Sequence, residues 1–125
     1  MATRLIIAGG RHYRNEPHIH AKIRAWIRVF GTPDIVITGG ATGVDKIAKR
    51  FTSRELSIPQ EEVFPQWYDH GKKAGPLRNR KMAEMATHLL AFWDGHSRGT
   101  LNMIRTANDM GLNVTVVMYR RDPQQ

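Results

Sequence analysis

No cysteine occurs among the 125 residues. That absence removes disulfide frameworks, thiolate metal centres and cysteine nucleophiles from consideration. No apolar run approaches the ~18–20 residues of a membrane span. The opening MATRLIIAGG is too short, and too soon broken by glycine, for a secretory signal. Histidines at 12, 18, 20, 70, 88 and 96 never fall into H-E-x-x-H or a comparable ligand spacing. There is no G-x-S-x-G elbow, so a serine hydrolase has no foothold. Neither the Walker spacing G-x-x-x-x-G-K-[ST] nor the dinucleotide spacing G-x-G-x-x-G is found. Repeats, low-complexity tracts and linkers are also missing. What remains is the expectation of one soluble, cytoplasmic domain over residues 1–125, with no metal and no resident cofactor.

One thing is present in excess. The formal net charge is +8 and the pI is near 10.5, which points to an anionic partner. Residues 1–62 carry ten Lys/Arg against six Asp/Glu, and residues 63–125 carry nine against five. The charge is thus spread evenly. Such spread suits phosphates held in a pocket or a broad nucleic-acid surface, and it also serves plain solubility.

Short apolar runs alternate with segments of helical period. RLIIA (4–8) reads as a buried strand. Ile19, Ile23, Trp26, Ile27 and Phe30 then share one helical face, with Asn15 as N-cap and Gly31-Thr32-Pro33 as the stop. DIVIT (34–38) is a second strand, followed by the stripe Val44, Ile47, Ala48, Phe51. EEVFP (61–65) is a shorter third strand, and QWYDHGKKAGPL lacks any period and reads as a loop. RNRKMAEMA follows as a helix, HLLAFW (88–93) as a strand, GTLNMIRTANDMG as a helix and NVTVVMY (113–119) as the last strand. This alternation predicts a Rossmann-like three-layer α/β domain with a mostly parallel sheet of about five strands.

In open sheets of this kind ligands gather at the carboxyl ends of the strands, and the unusual residues fall at those turns. GGRHY follows the first strand. Gly9 and Gly10 open the turn, Arg11 can fork onto phosphate oxygens, and Tyr13 can stack or hydrogen-bond. TGGATGVD follows the second. Its glycines at 39, 40 and 43 let backbone approach a ligand, and the helix that follows favours an anion at its start. The ligand-facing candidates here are Thr38, Gly39, Gly40, Ala41, Gly43 and Asp45. Thr42 and Asp45 also fit the capping box [ST]-x-x-[DE], so Asp45 has a competing role in closing its own helix.

The third turn supplies Trp67, Gly75, Pro76, Arg78 and Asn79. An Arg in a first helical turn opposes the dipole, so propensity does not account for Arg78. An interior packing role competes for Trp67, while Arg80 and Lys81 read as surface charges. The fourth turn, WDGHSRGT, supplies Asp94, Gly99 and Thr100. Thr100 can cap its helix, bind phosphate, or do both, and Asp94 can orient a sugar or a water.

Taken in order, GGRHY, TGGATGVDKIAKRF, W…GKKAGPLRNRKM and AFWDGHSRGTLNMI resemble the YspA/YpsA-related branch of the SLOG superfamily, which joins Smf/DprA proteins with LOG enzymes. The resemblance spans about residues 4–118. It implies a Rossmann-like fold, a nucleotide-type ligand in the crevice and a dimer or larger assembly. LOG enzymes cleave the N-glycosidic bond of nucleoside 5′-monophosphates. Their R-K-x-x-M helix motif is similar to the segment from Arg78-Asn79, and their P-G-G-x-G-T-x-x-E loop is similar to WDGHSRGTLNM. Aligned on Gly99-Thr100, the family's catalytic glutamate falls on Met103, and Pro-Gly-Gly becomes Trp93-Asp94-Gly95 in a loop two residues longer. Methionine cannot support an oxocarbenium-like centre as a carboxylate can.

The leading expectation is therefore binding of a nucleotide or nucleotide-derived ligand, such as a nucleoside monophosphate or an ADP-ribose or NAD derivative, in a sensing, sequestering or processing role. Arg11 and Arg78 would meet its phosphate, Asp45 or Asp94 its ribose, and Tyr13 or Trp67 its base. A LOG-type N-glycosidase with Asp94 or Asp45 as the acid is the alternative. DprA-like DNA or RNA binding, with Trp67-Tyr68 as a stacking element, ranks third.

Overall fold

The protein is described here by a computed structural model covering residues 2–121. Its chain runs β1 (Arg4–Gly9), α1 (Glu16–Phe30), β2 (Ile35–Thr38), α2 (Val44–Arg54) and β3 (Gln60–Glu62). It continues through α3 (Trp67–His70), one turn of 3₁₀ helix (Gly71–Lys73), α4 (Ala74–Met85), β4 (His88–Trp93), α5 (Arg98–Asp109) and β5 (Asn113–Met118). The five strands form one sheet in the order β3-β2-β1-β4-β5, and every pairing is parallel. The expected Rossmann-like three-layer architecture is the one observed.

Strand alternation divides the core in two. Leu5, Ile7, Val36, Leu90 and Phe92 face Ile19, Ile23 and Trp26 of α1 and Val44, Ile47, Ala48 and Phe51 of α2. Ile6, Ala8, Ile37, Leu89 and Ala91 face Met82 and Ala83 of α4 and Met103, Ile104 and Ala107 of α5. The period-2 alternation of β1 and β4 thus supplies both layers, which is why 5–8 and 89–93 are apolar throughout. Right-handed crossovers put α1 and α2 on one face while the chain moves from β1 towards β3. They put α4 and α5 on the other once it reverses towards β5. The reversal leaves a gap at the carboxyl ends of β1 and β4, the switch point of the sheet.

Several boundaries differ from the sequence-based expectation. Asn15 caps α1, its Oδ1 accepting from the His18 amide at 3.2 Å, and β4 falls on 88–93 as expected. β3 is shorter and earlier than 61–65. QWYDHGKKAGPL, read from sequence as a loop, is largely helical; α3 and the 3₁₀ turn bury no residue, so no apolar period marks them. Gly75 and Pro76 lie inside the first turn of α4 rather than ahead of it. Proline is tolerated there since that amide has no intrahelical acceptor. Arg78 and Asn79 consequently stand in the second turn, away from the strongest part of the dipole. Among the described residues, no helix is long and apolar enough to cross a membrane.

β1 and α2 meet at a point where only glycine fits. A Cβ on Gly9 would lie 2.7 Å from Val44 Cγ2 and 2.9 Å from the Phe92 carbonyl oxygen. A Cβ on Gly99, in the first turn of α5, would meet nothing within 4 Å. Gly9→Ala is expected to cost ~1–3 kcal/mol by overpacking, whereas Gly99→Ala should be neutral or gain up to ~1 kcal/mol of helix propensity. Urea denaturation of both variants checks this. Equal stabilities would show that the β1–α2 contact yields more readily than its geometry requires.

Candidate functional site

At the switch point the loops enclose a crevice of about 370 Å³. The β1–α1 turn contributes Gly9, Gly10, Arg11 and His12, and the turn after β2 contributes Ala41 and Asp45. Helix α4 adds Arg78, Asn79 and Met82, while the β4–α5 turn adds Asp94, His96, Ser97, Gly99 and Thr100. Met103 lines it from α5, and Tyr119 and Arg121 from just beyond β5. Segments remote in sequence therefore do share one cleft.

Hydrogen bonds sew these loops together. Thr42 Oγ1 donates to the Arg11 carbonyl at 3.0 Å, and the Val44 amide donates to the Gly10 carbonyl at 3.3 Å. Arg78 Nη1 donates to the carbonyl of Gly39, and Arg78 Nε to Asn79 Oδ1 at 2.9 Å. Asn79 is buried; its Nδ2 donates to Asn102 Oδ1 at 2.9 Å and to the Gly99 carbonyl at 3.4 Å. The Arg78-Asn79 pair thus ties the end of β2 to the start of α5.

Asp45 behaves unlike a capping-box acid. Gly43, not Thr42, is the N-cap of α2, and no side chain caps it. Asp45 Oδ2 instead accepts from the amides of Gly39 and Ala41, each at 3.2 Å. The carboxylate is 6% exposed. Burial pushes its pKa from 3.8 up to about 6, against the lowering effect of the Ala41 amide, Arg78 and the Gly39 amide, while Glu62 adds to the rise. Burial also lowers the Arg78 pKa, with Asp45 opposing and the neighbouring guanidinium of Arg11 adding to the fall. Two cations thus stand near one another on one wall of the crevice with the Asp45 carboxyl beside Arg78, and the outer one, Arg11, is left exposed.

The expected amide cradle after β2 is occupied by the protein's own carboxylate. A second cradle lies across the crevice. Ser97 is the N-cap of α5 without a side-chain cap bond, so the first amides of that 12-residue helix, at 98–100, have no intrahelical acceptor. Thr100 Oγ1 lies 3.2 Å from Ser97 Oγ beside them. The turn itself is rigid: Asp94 Oδ1 accepts from the His96 and Ser97 amides, both at 2.8 Å, and Trp93 Nε1 donates to the Ser97 carbonyl at 3.1 Å. Burial acts to raise the Asp94 pKa, but the Ser97, His96 and Asp94 amides and the charge of His96 outweigh it. Its carboxyl is held below the usual range.

Of the residues singled out from sequence, Gly9, Gly10, Arg11, Ala41, Asp45, Arg78, Asn79, Asp94, Gly99 and Thr100 line the crevice. Gly39, Gly40 and Trp67 line an adjoining hollow. Thr38 is buried, with its carbonyl accepting from Val63, and Gly43 is filled in by the Gly10 and Arg11 carbonyls. Gly75 and Pro76 belong to α4 and line neither cavity. Tyr13 is displaced from the crevice: its ring stacks on Tyr119 at 3.7 Å between centroids and its hydroxyl meets His18 Nδ1 at 2.5 Å. Tyr119 takes the lining position, its pKa pushed up to about 12 by burial, Asp94 and Tyr13. The signal for Tyr119 was available, since the carboxyl end of a fifth parallel strand must reach the same edge as the other four. Among the described residues, no group of three or more His, Asp or Glu is placed to hold a metal ion.

No family model matches the chain. The chain is 31% identical over 116 residues to the Gene 61 protein of Mycobacterium phage D29, a match that covers 89% of this chain and 93% of that protein.

The raised pKa of Asp45 predicts a pH dependence. The folded state holds that proton more tightly than the unfolded state, so this contribution to stability is full below pH ~4 and is lost as pH rises to about 6. An Asn at 45 keeps an oxygen for the Gly39 and Ala41 amides without carrying charge. The stability of Asp45→Asn relative to wild type should therefore improve by about 2–3 kcal/mol between pH 4 and pH 7. Urea denaturation at the two pH values measures it, and a difference that does not change with pH would refute the assignment.

Proposed function

The chain belongs to the family of the phage Gene 61 protein, and for it we propose the binding of a nucleotide or nucleotide-derived ligand at the β1/β4 switch point, in the manner of the YspA/YpsA-related branch of SLOG. The observation that carries this reading is the pairing, across one cleft, of the Arg11 and Arg78 guanidinium groups with the uncapped amino end of α5. Both elements favour a phosphate, one by charge and the other by oriented amides. The phosphate rests on the amides at 98–100 with Thr100, and the two guanidinium groups close over it. Asp94, held ionised, accepts from ribose hydroxyls. The nucleoside lies along Tyr119, Met82 and Met103, an apolar wall with one ring for stacking.

Turnover is not part of this proposal. Met103 stands in the crevice where the LOG resemblance requires a glutamate, and a thioether offers neither a proton nor a charge to an oxocarbenium-like centre. Asp94, with its lowered pKa and two amide bonds, is a poor general acid. Asp45 has the better pKa, but its Oδ2 is engaged by two amides. The protein on this view senses or sequesters its ligand.

Calorimetric titration with AMP tests the reading. Binding is expected in wild type and should weaken at least ~10-fold in Arg11→Ala, since an exposed charge-assisted contact to phosphate is removed. Absence of AMP, ADP-ribose and NAD binding would overturn it. Incubation of the same ligands should yield no free base, and base release that disappears in Asp94→Asn or Asp45→Asn would establish the N-glycosidase instead.

A further inference from the structure

Beside the crevice lies a second hollow of the same size, about 370 Å³. Arg11, Ala41 and Arg78 line both cavities, so the two guanidinium groups stand on the boundary. The walls differ in chemistry. The crevice is built from glycine turns, amides and carboxylates, while the outer wall of the hollow is Phe64, Pro65 and Trp67.

These aromatics are not packing residues. Phe64 and Trp67 are each 55% exposed, and Trp67 opens α3, a one-turn helix in which no residue is buried. Single exposed rings are ordinary on a protein surface, but two rings rimming one cavity beside a cation pair are not. Phe64 is held in place by Gly40, whose φ of +75° and missing Cβ let the ring lie directly on the backbone. Each residue keeps more than half of its surface open to solvent, and stacking on a flat heteroaromatic ring needs aromatic surface of that kind.

We propose that the hollow is a second ring-binding compartment and that the ligand is a dinucleotide, two nucleosides joined by a diphosphate. One nucleoside and its phosphate occupy the crevice as proposed above, the second phosphate crosses the boundary lined by Arg11 and Arg78, and the second base stacks on Trp67 and Phe64. This rests on the nucleotide reading above and specifies its substrate class. Each cavity by itself is at the small end of the ~300–1,000 Å³ range of ligand sites, and each suits one mononucleotide-sized half. The cations on the shared boundary match the anionic part of such a molecule, its diphosphate linker. A mononucleotide leaves the aromatic wall unused.

The test compares three probes by calorimetry: AMP, ADP-ribose and diadenosine diphosphate. ADP-ribose carries the diphosphate and a second sugar but no second base, so the contrast isolates the ring. Diadenosine diphosphate is expected to bind at least ~10-fold more tightly than ADP-ribose, the scale of one base–aromatic stack. Trp67→Ala should collapse that ratio to about 1–2-fold, and Phe64→Ala should lower it independently. If diadenosine diphosphate gains nothing over ADP-ribose while AMP binds, the second compartment is refuted and the mononucleotide reading stands. A gain that survives both substitutions also refutes it. If none of the three binds, the parent reading fails and takes this one with it.

Discussion

A carboxylate withdrawn from water sets the shape of the cleft. Asp45 lies beneath the turn that follows β2, and its Oδ2 holds the amides of Gly39 and Ala41. Arg78 grips the Gly39 carbonyl from the other side. A buried carboxyl without such partners would cost several kcal/mol, so the turn must keep its amides directed inwards. Its backbone is thereby fixed, and so is the position of Arg78. Because Arg78 also bonds Asn79, and Asn79 reaches Asn102 and Gly99, the constraint extends across the sheet to the start of α5.

This clasp has a consequence for anion binding. The glycine-rich turn after β2 looks in sequence like a phosphate cradle, yet its amides already serve an internal anion. The open cradle is the amino end of α5, where Asp94 satisfies only the two amides ahead of the helix. The sheet's reversal between β1 and β4 sets that cradle opposite Arg11 and Arg78. Charge from the β1–α1 turn and from α4 therefore faces the amino end of α5.

Much of the fold could be read directly because three strands are rich in apolar residues and α1, α2 and α5 carry clear helical periods. Leu5–Ala8, Ile35–Ile37 and Leu89–Trp93 are uninterrupted apolar runs, and α1 and α2 present clear apolar stripes. The failures have two physical causes. α3 and the 3₁₀ turn bury nothing, so no periodic burial is imprinted on residues 66–73. Thr42 and Asp45 have capping-box spacing, but the choice between the helix's own amides and those of Gly39 and Ala41 depends on Arg78, 33 positions further on. Local pattern has no access to that competition.

The sequence by itself determined the class of fold, the edge of the sheet where the crevice opens, and most of the residues that line it, because apolar period and glycine punctuation are local properties that survive in any context. Tertiary structure alone decided which amides stay open, which ring lines the cleft and which packs behind it. It alone placed Trp67 at the mouth of a second hollow rather than in the core. Those outcomes turn on competition between distant groups for the same donor or the same space. Asp45 against a ligand for the β2 turn and Tyr119 against Tyr13 for the wall are both settled only once the chain has closed.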